Sequence, residues 1–220
     1  MKTRPSPEEI QDRIIRAAGE VFGARGFDGT TIRQITSRAG VNVAAVNYYF
    51  RDKAELYVRV LREAKSCTRE LALLELSGSP EEQLRDFIFA FVRQLLDPAR
   101  PVWHVQVITQ EMLHPTPALD VLVREMTEPL FRQVRSMVGA VAAVKLPDRQ
   151  LDLLTSSILG QCLFYVRSRP MLERLAPELS RGSERIEWIA EHITSFSLAA
   201  LRGLFHKNNP PAHIRAALKS

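Results

Sequence analysis

Residues 25–56 read RGFDGTTIRQITSRAGVNVAAVNYYFRDKAEL and contain two short helix-forming segments separated by a glycine. Thr30 or Thr31 can cap the start of the first segment, and Gly40 can end it in a left-handed conformation. Asn42 can cap the second segment after a turn of about three residues. A further helix start follows at Asp52, which stands three residues before a glutamate in the pattern of a capping box. Two short helices joined by a glycine-containing turn predict a helix-turn-helix motif.

The sequence on either side of this motif also predicts helices. Apolar residues recur at helical spacing over residues 7–25, and the helix that begins at Asp52 is expected to run to about Leu76. Segments separated by prolines predict further helices at about 81–96, 101–114, 117–144, 148–168 and 184–204, with a short turn of helix at 170–176. Pro129 should kink or break the segment in which it lies. Since no alternating apolar and polar run is bounded by hairpin turns, we predict an all-α fold.

Composition narrows the class of protein. The chain has 30 Lys and Arg against 25 Asp and Glu, a formal net charge of +5, and twelve basic and eight acidic residues lie in the first 65 positions. This distribution permits a nucleic-acid partner at the amino-terminal end. Cys67 and Cys162 stand in no disulfide-framework or metal-binding spacing, so neither a metal nor a cofactor is expected. No apolar run approaches the roughly 18 residues of a membrane span, which predicts a cytoplasmic protein with no membrane partner.

Residues 8–56 resemble the DNA-binding domain of the TetR family of transcriptional regulators. The family pattern combines an amphipathic first helix, a G-(F/Y)-x-x-T-T turn, an A-G-V segment, a recognition helix that ends in Y-x-(Y/H)-F, and K-x-x-L. One departure is Asn47, which stands where the family commonly has an aromatic residue and which bears on base preference. The resemblance implies a helix-turn-helix DNA-binding domain at 1–52, a connecting helix at 53–76, and a helical ligand-sensing and dimerisation domain at 77–220.

A recognition helix reads base edges in the major groove, while phosphates are held by groups beside it. Asparagine suits adenine, small apolar side chains allow close approach, and tyrosine joins an apolar ring to a hydroxyl that reaches phosphate. The predicted groove contacts are Asn42, Val43, Ala44, Ala45, Asn47, Tyr48 and Tyr49. The resemblance implies a phosphate contact from Lys53, and Arg33 and Thr31 are further candidates. The alternatives are that Asn42 and Thr31 only cap helices and that one of the two tyrosines only packs in the core.

The second half of the chain resembles the carboxy-terminal domain of the CecR-type subgroup, which is associated with drug-sensitivity and efflux genes. Such proteins dimerise through their last two long helices, and the corresponding apolar residues here are Leu151, Leu154, Ile158, Cys162, Ile189, Ile193, Phe196 and Ala200. Effector cavities are mostly apolar with a few polar groups. Residues of that kind are Phe87, Phe91, Trp103, Gln106, Gln110, Met126, Phe131, Gln161, Phe164 and Tyr165. The alternative for both sets is packing within one chain.

The resemblance implies a homodimer that binds a palindromic DNA operator and represses transcription until an apolar or amphipathic small molecule binds. One alternative is a DNA-binding regulator without an inducer. Another is a helical metal enzyme built on Glu111 and His114, whose i, i+3 spacing occurs in di-iron helical bundles. Such a site needs two Glu-x-x-His pairs, and this chain has one. GxSxG, P-loop and GxGxxG motifs do not occur in the sequence, so no enzymatic activity is expected.

Overall fold

The computed structural model describes residues 5–66, 71, 77–182 and 184–205, and this part of the chain contains helices without strands. It divides into two compact units, Met1–Arg69 with Ala99–Glu128 and Glu70–Pro98 with Pro129–Ser220. The first unit contains α1 (Pro7–Arg25), α2 (Ile32–Ala39), α3 (Val43–Tyr49), α4 (Lys53–Ala64), α6 (Val102–Leu113) and α7 (Ala118–Leu122). The second contains α5 (Pro80–Leu96), α8 (Glu128–Ala142), α9 (Asp148–Arg167), α10 (Arg169–Leu175) and α11 (Arg185–Phe205). The predicted all-α fold is confirmed.

Helix starts in the structure follow short-range hydrogen bonds that the sequence encodes. Thr31, Asn42, Asp52 and Ser79 each accept a hydrogen bond from the backbone amide three residues later, and these residues begin α2, α3, α4 and α5. Ser6 does the same for α1, where the Glu9 side chain completes a capping box. Each cap satisfies an amide that the first helical turn leaves without a partner, which fixes where the helix begins.

One helix departs from the sequence-based expectation, and a second segment is perturbed at the proline where this was expected. Helix α4 ends at Ala64, because Lys65 leaves the helical conformation with φ −108° and ψ 8°. Ser66 and Leu71 are again helical, and the rest of the predicted extension to Leu76 lies outside the described residues. Pro129 does perturb its segment, as predicted: a π-helical turn, Val123–Thr127, lies between α7 and α8. A proline ring crowds the carbonyl four residues earlier and lacks an N–H, and the wider turn just before Pro129 accommodates both constraints.

The core of the first unit forms around α1. Its apolar face, which includes Ile14, Ala18 and Phe22, is buried against α2, α4 and α6. At Gly19 the approach of α6 is so close that an added Cβ would lie 2.3 Å from Cε3 of Trp103. The absence of a side chain at this position therefore determines how closely α6 packs against α1.

The core of the second unit is built by α5, α8, α9 and α11. Buried apolar residues from all four helices form one cluster, among them Phe87, Val134, Ile158 and Ile193. Exposed ion pairs also join α5 to α11, Arg202 to Glu81 and Arg85 to Glu191. Exposed pairs of this kind contribute at most about 1 kcal/mol each, so burial of the apolar faces dominates the stability of this unit.

Residues 99–128 belong to the same compact unit as the amino-terminal helices. The three-part domain division at residues 52 and 76 remains a prediction about function. Among the helices that the structure describes, none is both long enough and apolar enough to cross a bilayer.

Gly19→Ala should destabilise the protein by about 1–3 kcal/mol, because the new methyl group overlaps the buried Trp103 ring. Gly139→Ala is the matched control: its Cβ would meet Leu151 at an ordinary 3.5 Å, and replacing a mid-helix glycine should stabilise by about 0.5–1 kcal/mol. Denaturant unfolding of both variants measures the two effects. Shifts in the same direction would contradict the proposed packing of α1 on α6.

Candidate nucleic-acid interface

Helices α2 and α3 are joined by a turn whose conformation requires glycine. Gly40 ends α2 with φ 64° and ψ 39°, the left-handed region that side chains other than glycine seldom adopt. At the other end of α2, the Thr31 hydroxyl accepts from the Gln34 amide at 3.3 Å, and the Thr31 amide donates to Gln34 Oε1 at 2.8 Å. Both ends of α2 are therefore fixed by local contacts.

A long-range contact also holds the turn. Arg13 on α1 donates from Nη2 to the carbonyl oxygen of Ala39 at 2.6 Å and lies 3.4 Å from that of Gly40. These carbonyls belong to the end of α2, where the helix supplies no donor. No sequence pattern points to Arg13, because nothing in a helical segment shows which distant carbonyl an arginine will reach.

Helix α3 presents one face to solvent and one to the core. Val43, Ala44, Asn47 and Tyr48 are exposed, at the i, i+1, i+4, i+5 spacing of a single helix face, whereas Val46 is buried. We call these four residues the α3 face. It carries no formal charge and combines two small apolar residues, an amide and a phenol. That combination suits a surface which reads base edges.

The remaining predicted groove residues lie away from the α3 face or are already engaged. Ala45 and Tyr49 are half-buried and pack against the core of the first unit. The Asn42 side-chain oxygen accepts the Ala45 amide at 2.8 Å, so this oxygen caps α3. Tyr48 is 82% exposed and contacts Tyr49 edge-on, with ring centroids 5.0 Å apart. The structure thus separates the two tyrosines: Tyr49 supports the helix from the core side, and Tyr48 projects from it.

Positive charge flanks the α3 face. Lys53 is the first residue of α4, and its Nζ lies 4.2 Å from the centre of the Phe27 ring. Phe27 is itself packed against Phe22 and Tyr57, with ring centroids 6.1 and 5.0 Å away. A cation held over a ring face keeps its charge while losing freedom of movement. Lys53 is therefore positioned by packing, a role for Phe27 that the sequence analysis missed.

Arg33 and Arg38, two other basic residues of α2, differ in whether they already form an ion pair. Arg33 is exposed at the second position of α2. Arg38 is paired with Glu20 on α1. Since Arg38 already holds a carboxylate, Arg33 and Lys53 are the better candidates for phosphate contacts.

Asp52, the acidic residue next to Lys53 in the sequence, is the N-cap of α4. Asp52 Oδ1 accepts the Glu55 amide at 2.8 Å. This backbone hydrogen bond, with a smaller contribution from the charge of Arg51, lowers the pKa of the Asp52 carboxyl. Asp52 thus remains ionised at neutral pH and caps α4.

The predicted effector-contacting residues fall in both compact units. In the first, Trp103 is buried, Gln110 and Met126 are half-buried, and Gln106 is exposed. In the second, Phe87 and Phe91 belong to the core, Phe131 is half-buried, and Gln161, Phe164 and Tyr165 line a shallow open depression with His192. The effector role of this set remains a prediction.

The predicted dimer residues also differ in exposure. Ile158, Cys162, Ile189 and Ile193 are buried within the second unit itself, and burial raises the pKa of the Cys162 thiol to about 12. Leu151 and Leu154 are half-buried, while Phe196 and Ala200 are exposed. The dimer role stays a prediction, and within this set the exposed pair offers the largest unburied surface.

Glu111 and His114, the pair on which the metal-enzyme alternative depends, differ in burial. Glu111 is fully buried, and its carboxylate accepts hydrogen bonds from the Thr116 amide at 2.8 Å and the Thr116 hydroxyl at 3.1 Å. It also interacts with the Tyr57 hydroxyl, whose pKa is raised first by burial and then by this carboxylate. His114 is exposed. Within the described ranges, no cluster of three or more His, Cys, Asp or Glu could hold a metal ion.

The fold and this surface define a helix-turn-helix DNA-binding regulator. Residues 14–60 match the family described as bacterial regulatory proteins, tetR family, and residues 80–201 match the HTH-type transcriptional dual regulator CecR, C-terminal domain. The chain belongs to the TetR family of bacterial transcriptional regulators and carries the CecR-type carboxy-terminal domain, as the sequence predicted.

Similar proteins cover nearly the whole chain. The HTH-type transcriptional dual regulator CecR of Shigella flexneri is 24% identical over 91% of this chain and 95% of its own length. The HTH-type transcriptional repressor NicS of Pseudomonas putida is 29% identical over 90% of this chain and 93% of its own. A crystal structure of a TetR-like transcriptional regulator from Rhodococcus sp. RHA1 has a TM-score of 0.62 at 17% identity and covers 91% of this chain and 100% of that one. The structural likeness supports the fold.

Lys53→Ala should weaken binding to all DNA sequences alike and reduce the slope of log affinity against log salt by about 0.9, the value for one lost phosphate contact. Asn47→Ala should instead relax the preference at one base position by roughly 1–3 kcal/mol with little change in the salt slope. Lys145→Ala is the matched control, since Lys145 is exposed in the second unit.

Fluorescence anisotropy with specific and scrambled duplexes at several salt concentrations measures both quantities. An Asn47→Ala variant that retains full selectivity would refute base reading by Asn47. A Lys53→Ala variant with the wild-type salt slope would refute the phosphate contact.

Proposed function

We propose that this protein is a homodimeric, ligand-responsive repressor that binds a palindromic operator, with drug-efflux or drug-sensitivity genes among its targets. The observation that carries the proposal is the uncharged α3 face beside the positioned cation of Lys53. Recognition helices read bases at such a face while adjacent cations hold the phosphates.

Dimerisation is supported by apolar surface on the second unit. Trp188 and Phe196 are 53% and 58% exposed on α11, and Phe164 is 45% exposed on α9. Trp188, His192 and Phe196 recur every fourth residue and so follow one side of α11. Large exposed aromatic side chains on one face mark an association surface. A two-fold dimer would place two recognition helices about 34–36 Å apart, one turn of DNA.

Repression is supported by the name of one similar protein, the repressor NicS, whereas CecR is named a dual regulator. In the proposed mechanism, the effector binds better to a dimer in which the spacing or tilt of the helix-turn-helix units no longer fits the operator. The response is set by the difference between the effector's affinities for the two states, because equal affinities shift nothing.

DNase footprinting of the region upstream of the protein's own gene should show a protected palindrome with half-sites about 10 base pairs apart. Two chains should bind per palindrome in sedimentation or light-scattering measurements. A cytotoxic compound that raises the melting temperature of the purified protein should also lower its operator affinity at fixed salt.

The separate parts of this experiment can fail separately. A single unpaired footprint at low salt would contradict the dimeric operator complex. Compounds that bind the dimer and leave operator affinity unchanged would contradict ligand control, and would favour a regulator without an inducer.

A further inference from the structure

The amino-terminal end of α6 gathers buried hydrogen-bond donors that have no acceptor. Arg100 stands two residues before the helix, and Trp103 lies in its first turn. Arg100 Nε, Arg100 Nη1 and Trp103 Nε1 are all buried and, in the part of the chain that the structure describes, lack a hydrogen-bond partner. Trp103 is only 6% exposed, so water at the surface does not satisfy its indole N–H.

Leaving these donors unpaired is costly. A buried donor without an acceptor costs about 1–3 kcal/mol, and more when it is charged. The guanidinium of Arg100 makes one hydrogen bond, from Nη2 to the Ala64 carbonyl at 2.8 Å. Among the described residues, no carboxylate forms a salt bridge with Arg100. Buried cations are normally paired with an anion, so this group is incomplete without one.

His104 adds a third polar side chain to the group. Its ring lies edge-on to that of Trp103, with centroids 4.1 Å apart. Burial, followed by the positive charge of Arg100, lowers the pKa of His104 to about 4. His104 is therefore neutral near pH 7, and Arg100 is the one charged member of the three.

The helix itself also favours an anion here. α6 has 12 residues, and its N-cap, Pro101, makes no side-chain hydrogen bond to the first-turn amides. The amino-terminal amides of a helix carry partial positive charge. An open groove reaches Trp103 from the surface, and its lining also includes Arg16, Arg38 and the carboxylate of Glu20.

We propose that Arg100, Trp103 and His104 bind the carboxylate of a small organic acid, and that this acid is the effector. The second statement rests on the proposed ligand response. A carboxylate can accept from the indole N–H of Trp103 and from the Nε and Nη2 edge of the Arg100 guanidinium, whose N–H bonds point the same way. One guanidinium matches a monoanion better than a phosphate dianion, and the indole ring offers an apolar surface to the body of the acid.

The contact with Ala64 gives this site a route to DNA binding. Ala64 is the last residue of α4, and Lys53 is the first. A carboxylate on the Nε and Nη2 edge shares Nη2 with the Ala64 carbonyl, so it alters the hydrogen bond that holds the end of α4. Because a 12-residue helix moves as a rigid rod of about 18 Å, a shift at Ala64 reaches the Lys53 end.

The test compares acids with their neutral analogues. The full-length protein is titrated by calorimetry and thermal shift with carboxylates from benzoate to octanoate, each beside its primary amide, and with inorganic phosphate. At least one acid should bind at least about tenfold more tightly than its amide, and phosphate should not bind. Arg100→Gln should weaken that acid about ten- to a hundredfold, and Trp103→Phe, which removes the N–H but keeps a ring, should weaken it several-fold.

Arg124→Gln is the matched control, since exposed Arg124 also donates to a backbone carbonyl, that of Asp120 at 3.3 Å. It should leave acid binding unchanged. Equal response to acids and amides, no response to either, or equal losses in the Arg100 and Arg124 variants would overturn the site. Acid binding that leaves operator affinity unchanged would sink the effector role, while the carboxylate site would stand. Regulation by neutral compounds alone would leave ligand control standing and overturn the site.

Discussion

The hydrogen bond from Arg13 to the Ala39 carbonyl, 2.6 Å long, joins the end of α2 to α1. Gly40 can then turn with φ 64°, and α3 begins after Asn42. Because α1 is buried on its other side against α4 and α6, Arg13 ties the turn to the most extensively packed helix of the first unit. The direction of the α3 face therefore depends on a contact made 26 residues earlier in the chain.

In the proposed DNA complex, base reading and phosphate binding fall to different side chains. The α3 face has no charge, and the lysine beside it is held by the Phe27 ring. This arrangement separates two kinds of binding energy: phosphate contacts that act on every sequence, and base contacts that distinguish one sequence from another. Tyr48 and Tyr49 differ in exposure: Tyr48 projects into solvent, and Tyr49 packs on the core of the first unit.

How much the sequence could predict follows from the range of each interaction. The caps at Thr31, Asn42 and Asp52 bond to amides three residues away. Residue types in a short window therefore placed the caps at Asn42 and Asp52 and narrowed the third to Thr30 or Thr31. The hydrogen bond from Arg13 to Ala39 and the contact of Lys53 with the Phe27 ring each join residues far apart in the sequence. No local sequence pattern reveals such pairs. The end of α4 at Ala64 was missed for a related reason, because helical periodicity continues past it.

Apolar periodicity also cannot show which residues of a helix face pack in the core of their own chain and which form a dimer interface. Ile158, Cys162, Ile189 and Ile193 follow the spacing expected of an interface, yet they fill the core of their own unit. The sequence therefore predicted the fold and the family, whereas apolar periodicity alone could not separate effector or dimer surfaces from the core.

In the proposed DNA complex, the α3 face enters the major groove. The most direct test is photo-crosslinking of the protein to operator DNA that carries 5-iodouracil in place of thymine, since the iodine occupies the position of the thymine methyl in the major groove. The crosslinked peptide should contain Tyr48, and Tyr48→Ala should abolish the crosslink while Tyr49→Phe preserves it. Crosslinks confined to residues outside α3, or equal yield from the Tyr48→Ala variant, would contradict it.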